Sequence, residues 1–205
     1  MSPLEILMQE HRVIEQVLAC LDIITRQAQE NGRLEADAAR DATDFLQQYA
    51  DRCHHGKEED QLFPMMEQRG MPAEGGPTGV MRLEHQQGRQ LVMRMINAID
   101  GAGAGEKTAL DEFTDAGRKF VALLRGHIDK EDHCLFPMAH QALGPDGVEE
   151  LARAFTRVEG EMEPGLAEKY VAIAAALAGR YGVQNPGDDR STDHDCISAT
   201  AGSGD

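Results

Sequence analysis

Six residues stand out by type and spacing: His11, His54, Glu58, His85, His127 and Glu131. His54 and Glu58 form a His-x-x-x-Glu pair, and His127 and Glu131 form a second. Four residues turn an α-helix through about 400°, so the members of each pair project from one face. Imidazole nitrogens and carboxylate oxygens grouped in this way can ligate a metal. The segments around the two pairs also align without a gap. His54-His55-Gly56-Lys57-Glu58-Glu59-Asp60-Gln61-Leu62-Phe63-Pro64 lies against His127-Ile128-Asp129-Lys130-Glu131-Asp132-His133-Cys134-Leu135-Phe136-Pro137, sharing the His, Lys, Glu, Leu, Phe and Pro. Glu10-His11 and Glu84-His85 recur in the same way, so the second half of the chain reads as a copy of the first.

These polar residues sit on apolar stripes. Leu46, Ala50, His54, Glu58 and Leu62 form one row at intervals of four, and Phe120, Leu124, His127, Glu131 and Leu135 form another within a residue. His11 lies in the stripe of Leu7, Ile14 and Leu18, and His85 between Met81 and Val92. All six therefore point at one core. An unpaired buried polar group costs roughly 2–7 kcal/mol and an isolated buried charge far more. No Lys or Arg in those stripes offers compensation. Two metal ions, bridged by two carboxylates and each finished by two imidazoles, satisfy the set; a metal-free His–Glu hydrogen-bond network is the rival arrangement. Imidazole with carboxylate suits iron, with manganese and zinc as chemical rivals. His55 and Glu59 fall one residue off the inward row and are read as facing a neighbouring helix or solvent, and His133 and His140 are also off the row. Glu159, Glu161 and Glu163 read as a solvated acidic face, and Tyr49 as a packed aromatic.

The elements that must position these residues are helices. Ser2-Pro3-Leu4-Glu5 is a helix start, with a capping box and Pro at the first turn. The first helix ends at Asn31-Gly32. A second is expected over 34–68, kinked by Pro64; a third over 80–101; a fourth over 110–143, ending at Leu143-Gly144-Pro145. A fifth segment over 148–181, broken near Pro164-Gly165, carries an Ala-rich stripe (Val171, Ala174, Ala175, Leu177, Ala178) expected to pack across the bundle. The fold class is all-α: an up-and-down four-helix bundle (1–143), a C-terminal helical extension (144–183) and a disordered tail (184–205).

Composition agrees. Hydrophobic residues make up 41% of the 205, with no Trp, 6 Phe and 3 Tyr. The net charge of −16 argues against nucleic acid and against an anionic membrane surface. No stretch has the length of a membrane span and the N-terminus lacks a secretion signal, so a cytoplasmic location is expected. Cys20, Cys53, Cys134 and Cys196 form no C-x-x-C pair and are read as thiols, three of them in the core.

The order His, His-x-x-x-Glu, His, His-x-x-x-Glu, with Leu-Phe-Pro after each pair, resembles the hemerythrin-like (HHE cation-binding) proteins over about residues 1–143. That resemblance implies a non-haem di-iron centre with an oxo or hydroxo bridge. His11, His54, His85 and His127 would be terminal ligands, and Glu58 and Glu131 the bridging carboxylates. The oxygen-carrying members place two His four apart on the third helix, but here Met81 and Arg89 flank His85 at that spacing. Their last pair is His-x-x-x-x-Asp, and Asp132 is the alternative to Glu131. Five steps leave Asp132 about 140° from His127, which favours Glu131. A four-His, two-Glu set is similar to the sites of proteins that repair iron centres or break down peroxide. The expected function is binding or turnover of a small oxidant (H2O2, NO or O2). The alternative is a sensor of O2, NO or redox state, or an iron-binding protein for storage or repair.

Overall fold

The structure, a computed structural model, describes residues 1–184, and the described part is built of helices with no strand. The expected tail lies almost wholly outside the described residues, with His194 and Cys196. Helix α1 spans Pro3–Asn31. Ser2 Oγ accepts from the Glu5 amide at 3.3 Å while the Ser2 amide donates to Glu5 Oε2 at 2.7 Å, completing the capping box. Helix α2 runs over 36–68, α3 over Pro77–Ala104 and α4 over 107–143. Two shorter helices follow: α5 over 145–161 and α6 over Leu166–Tyr181. Helix α3 packs along α4, α4 along α1, and α2 along α3, which gives the up-and-down bundle.

Helices α2 and α4 are not regular. Leu46–His55 and Glu58–Leu62 in α2, and Glu131–Leu135 in α4, are wide π-helical turns. Two of these end just before Phe63-Pro64 and Phe136-Pro137. Pro has no amide to donate and crowds the carbonyl four residues back; a widened turn relieves that clash without ending the helix. The shared Leu-Phe-Pro thus marks a local widening rather than the simple kink expected at Pro64.

The extension is two helices, parted at the expected break at Pro164-Gly165. Gly144, at φ 62°, turns α4 into α5, and Gly165, at φ 81°, starts α6. In α6 the face laid on the bundle is Tyr170, Ala174, Leu177 and Ala178; Val171 and Ala175 are exposed. Tyr170 fixes the contact, donating to Asp44 Oδ2 at 2.9 Å. Cys20 and Cys53 are buried and Cys134 half-buried. No described helix is long and apolar enough to cross a membrane.

The core is two apolar clusters with a polar layer between them. One cluster holds Ile14, Leu18, Leu46, Ala50, Val92, Phe120 and Leu124. The other holds Leu4, Leu7, Leu62, Phe63, Met81, Leu135 and Phe136, together with Leu151 and Phe155 of α5. On every long helix the candidate ligands fall where the chain passes from one cluster to the other.

Candidate metal centre

All six predicted residues converge in that layer and are buried, none more than 1% exposed. Glu131 Oε2 lies 3.2 Å from both His11 Nε2 and His127 Nε2. Glu58 reaches His54 Nε2 with Oε1 and His85 Nε2 with Oε2, each at 3.6 Å. Both carboxylates therefore sit between two halves. One group of mutually close donors is His11, His54, Glu58 and Glu131; the other is His55, Glu58, His85 and His127, with donor atoms in each within 4.8 Å of one another.

His55 is a correction to the sequence reading. It is buried, its ring stacks on that of His85 at 3.8 Å between centroids, and it joins the second group. The π-helical stretch that ends at His55 lowers the rotation per residue, so two consecutive residues face inward. A fixed α-helical period hides this. The repeat held the signal: His55 aligns with Ile128, a buried core residue.

Each imidazole is held from behind by a carboxylate. His11 Nδ1 donates to Asp132 Oδ1 at 2.7 Å, His54 Nδ1 to Glu10 Oε2 at 2.9 Å, His85 Nδ1 to Glu59 Oε1 at 2.6 Å and His127 Nδ1 to Glu84 Oε2 at 2.9 Å. His55 Nδ1 faces Asp51 Oδ1 at 3.4 Å. With Nδ1 as donor, each ring turns Nε2 toward the centre, the arrangement that metal-bound histidines use. Cations close the outer ring: Arg12 on Asp132, Lys57 on Glu10, Lys130 on Glu84, and Arg89 on both Glu59 and Asp51. The pattern repeats with the sequence. Glu10 of α1 serves His54 of α2 as Glu84 of α3 serves His127 of α4, and Glu59 serves His85 as Asp132 serves His11. Asp132 is thus on the Nδ1 side of a histidine, while Glu131 faces the centre. Glu59 faces the neighbouring helix, one of its two expected placements, and there supports His85, while Lys57 is a buried cation that the stripes did not reveal.

Inside this ring, His11 Nε2, His54 Nε2 and both oxygens of Glu58 and Glu131 are buried without a hydrogen bond of good geometry. Burial, then repulsion from Glu131, pushes the Glu58 carboxyl well above its usual range. Glu131 is held well below it, because His127 and His11 outweigh burial. Burial and neighbouring imidazoles depress His54, and push His55 down to about 3. His127 is raised to about 9, since Glu131 and Glu84 outweigh the burial that opposes its charge. Buried nitrogens and carboxylate oxygens that lack partners and converge at this density fit divalent or trivalent cations.

The two halves differ in access. A cavity of about 210 Å³ runs between α2, α3 and α4 to His55 and His85. Its inner walls are Leu46, Ala50, Gly88, Val92, Phe120 and Leu124. Gly88 keeps it open, since a Cβ there would stand 3.4 Å from the Phe120 ring. Each half also has a phenylalanine stacked on an imidazole, Phe136 on His11 at 5.5 Å and Phe63 on His85 at 6.0 Å. Tyr49 is a packed aromatic, stacked on Phe45 at 4.9 Å.

The Hemerythrin HHE cation binding domain profile matches residues 2–139. An uncharacterized protein of Mycobacterium bovis and uncharacterized proteins of two Mycobacterium tuberculosis strains are each 26% identical over 151 residues, or 74% of this chain. The chain spans 58% of the length of these curated relatives. No solved structure matches it. The profile covers well over half of the chain and nearly all of the bundle around the polar layer, and this protein belongs to the hemerythrin HHE cation-binding domain family.

Proposed function

We propose that the polar layer holds two iron ions and that the protein binds and turns over a small oxidant, H2O2, NO or O2, on one side of the pair. The supporting observation is the unequal access to two halves that share Glu58 and Glu131. His11 and His54 would hold one ion and His55, His85 and His127 the other, the two glutamates lying between. Bound iron would supply redox chemistry and an exchangeable position. The residues supply the rest. The outer carboxylates fix each imidazole, and the cavity admits a small uncharged molecule while its carbon walls exclude bulk water.

His55 brings the imidazoles to five, so ligand number no longer separates this centre from those of oxygen carriers. The reading against carriage rests on the cavity. The polar groups at its rim are engaged, Arg89 with Asp51 and Glu59, and Gln47 Nε2 with Met93 Sδ at 3.7 Å. The inner walls have no donor to steady an anionic ligand, so a reduced oxidant should be consumed rather than held. The test is O2 evolution from H2O2, together with NO consumption, by iron-loaded wild type and His127→Ala. Turnover by wild type and its loss in the variant are expected. An oxygenated form that releases O2 under vacuum, with no turnover, would overturn the proposal in favour of carriage, and tight binding without turnover would leave a sensor. Iron yielded readily to a chelator would point to storage or donation.

A further inference from the structure

The two copies of the His-x-x-x-Glu segment carry a lysine in the same register, yet the fold treats these lysines differently. Lys130 pairs with Glu84, and its side chain is 28% exposed. Lys57 pairs with Glu10, and its side chain is 2% exposed. The cover is α5. Glu159 Oε1 accepts from Lys57 Nζ at 3.2 Å, and the Phe155 ring lies under the ammonium at 5.4 Å. Leu151 and Phe155 are buried beside Leu62, Phe63 and Phe136, and Arg69 Nη2 donates to Glu150 Oε2 at 3.2 Å.

Helix α5 stands outside both the internal repeat and the family match. It is joined at each end through a glycine in the left-handed region, Gly144 and Gly165, where any other L-residue would be strained. A continuous line of contacts runs inward from it: Glu159 to Lys57, Lys57 to Glu10, Glu10 to His54 Nδ1. A buried ammonium needs its partners, and the carboxylate that orients a histidine needs its own cation. Nothing comparable covers Lys130 among the described residues.

We propose that α5 is a latch on one of the two metal positions. Docked through Glu159 and Phe155, it immobilises Lys57 and Glu10, fixes the His54 ring and retains the ion on the His11/His54 side. The His55/His85/His127 side does not depend on it. This rests on the reading that the polar layer binds two metal ions. Glu159 is a positioning residue, half-exposed and remote from the centre.

The experiment loads full-length wild type, Glu159→Ala and Glu159→Gln anaerobically with Fe(II) and follows release of each ion to a chelator. Partners behind a metal ligand typically change affinity by about 10–100-fold, and Glu159 acts two contacts beyond Glu10, so the lower end applies. Glu159→Ala should release one of its two ions about tenfold faster and the other at the wild-type rate. Glu159→Gln, which keeps an acceptor for Lys57, should stay close to wild type. In a His54→Ala background, Glu159→Ala should add nothing, because the two substitutions act on one position. Equal acceleration of both ions, or release unchanged in Glu159→Ala, would overturn the latch while the metal reading stands. Failure of wild type to take up any metal would overturn both.

Discussion

The His11/His54 half and the His55/His85/His127 half are built from the same repeated parts and finished differently. In both, a Glu-His dipeptide on one helix supplies an inward imidazole and a carboxylate for the neighbouring helix's histidine. In both, a glutamate four residues after a histidine faces the centre. The repeat even gives each half a stacked ring, Phe136 on His11 and Phe63 on His85. What separates the halves is His55, which aligns with Ile128, the seal of helix α5 over Lys57, and a cavity that leads past Gly88 to His55 and His85. Duplicated elements bring the buried histidines and glutamates together, whereas the features the copies do not share set how each half is covered and reached.

Removing a shared carboxylate should have the largest effect. Glu131→Ala takes one acceptor from both halves and leaves His11 and His127 facing each other, so metal analysis should find most of the iron gone. Asp132→Ala is the sharper partner: it removes only the support behind His11 and should weaken binding about 10–100-fold while two ions still load at saturation. If Asp132→Ala empties the centre and Glu131→Ala does not, the roles given to these neighbours are reversed.

His55→Ala tests the open half alone. It should lower occupancy there and leave one ion tightly held, read as a fall from two metals per chain toward one. Unchanged stoichiometry and unchanged ligand binding would return His55 to a packing role.

Acid should weaken metal uptake. His127 is raised to about 9 in the metal-free protein, so at neutral pH it carries a proton that a metal ion must displace, and the upward shift of Glu58 acts in the same direction. Affinity should rise with pH up to about 9, the folded-state value for His127, and calorimetry in buffers of different ionisation enthalpy should detect proton release. Uptake independent of pH between 6 and 8, on the order of the histidine range, would contradict those charge states.

The smallest effect concerns access. Gly88→Leu should fill the cavity and slow reaction with H2O2 or NO severalfold, with iron content unchanged. A rate equal to that of wild type would mean that ligands arrive by another route.

Much of this was legible in the sequence because the repeat and the apolar rows constrain each other. A histidine in a stripe that alternates with Leu and Ile must point where they point, and two copies in register fix the depth. Glu131 over Asp132 followed from helical rotation and from the alignment of Glu131 with Glu58. What stayed hidden depended on departures from a uniform helix or on distant partners. His55 was lost to the wide turn, which no α-helical period represents. The burial of Lys57 left no trace in the local pattern because its cover comes from α5, a hundred residues along the chain. The inward face of α6 was misjudged at Val171 and Ala175 because an Ala-rich stripe gives weak phase; Tyr170 and its bond to Asp44 fix which side lies down.

Glu58 carries one further consequence, for the order in which the centre fills. Its two oxygens address different halves, Oε1 toward His54 and Oε2 toward His85. An ion in either half would lock its rotamer, which would prepare the second oxygen for the other half before any ion arrives there. Loading should therefore be cooperative, and chains with a single ion should be the rarest species at half-saturation. A titration followed by native mass spectrometry would show mainly empty and doubly filled protein, with Glu58→Gln, which cannot be shared as an anion, restoring stepwise filling.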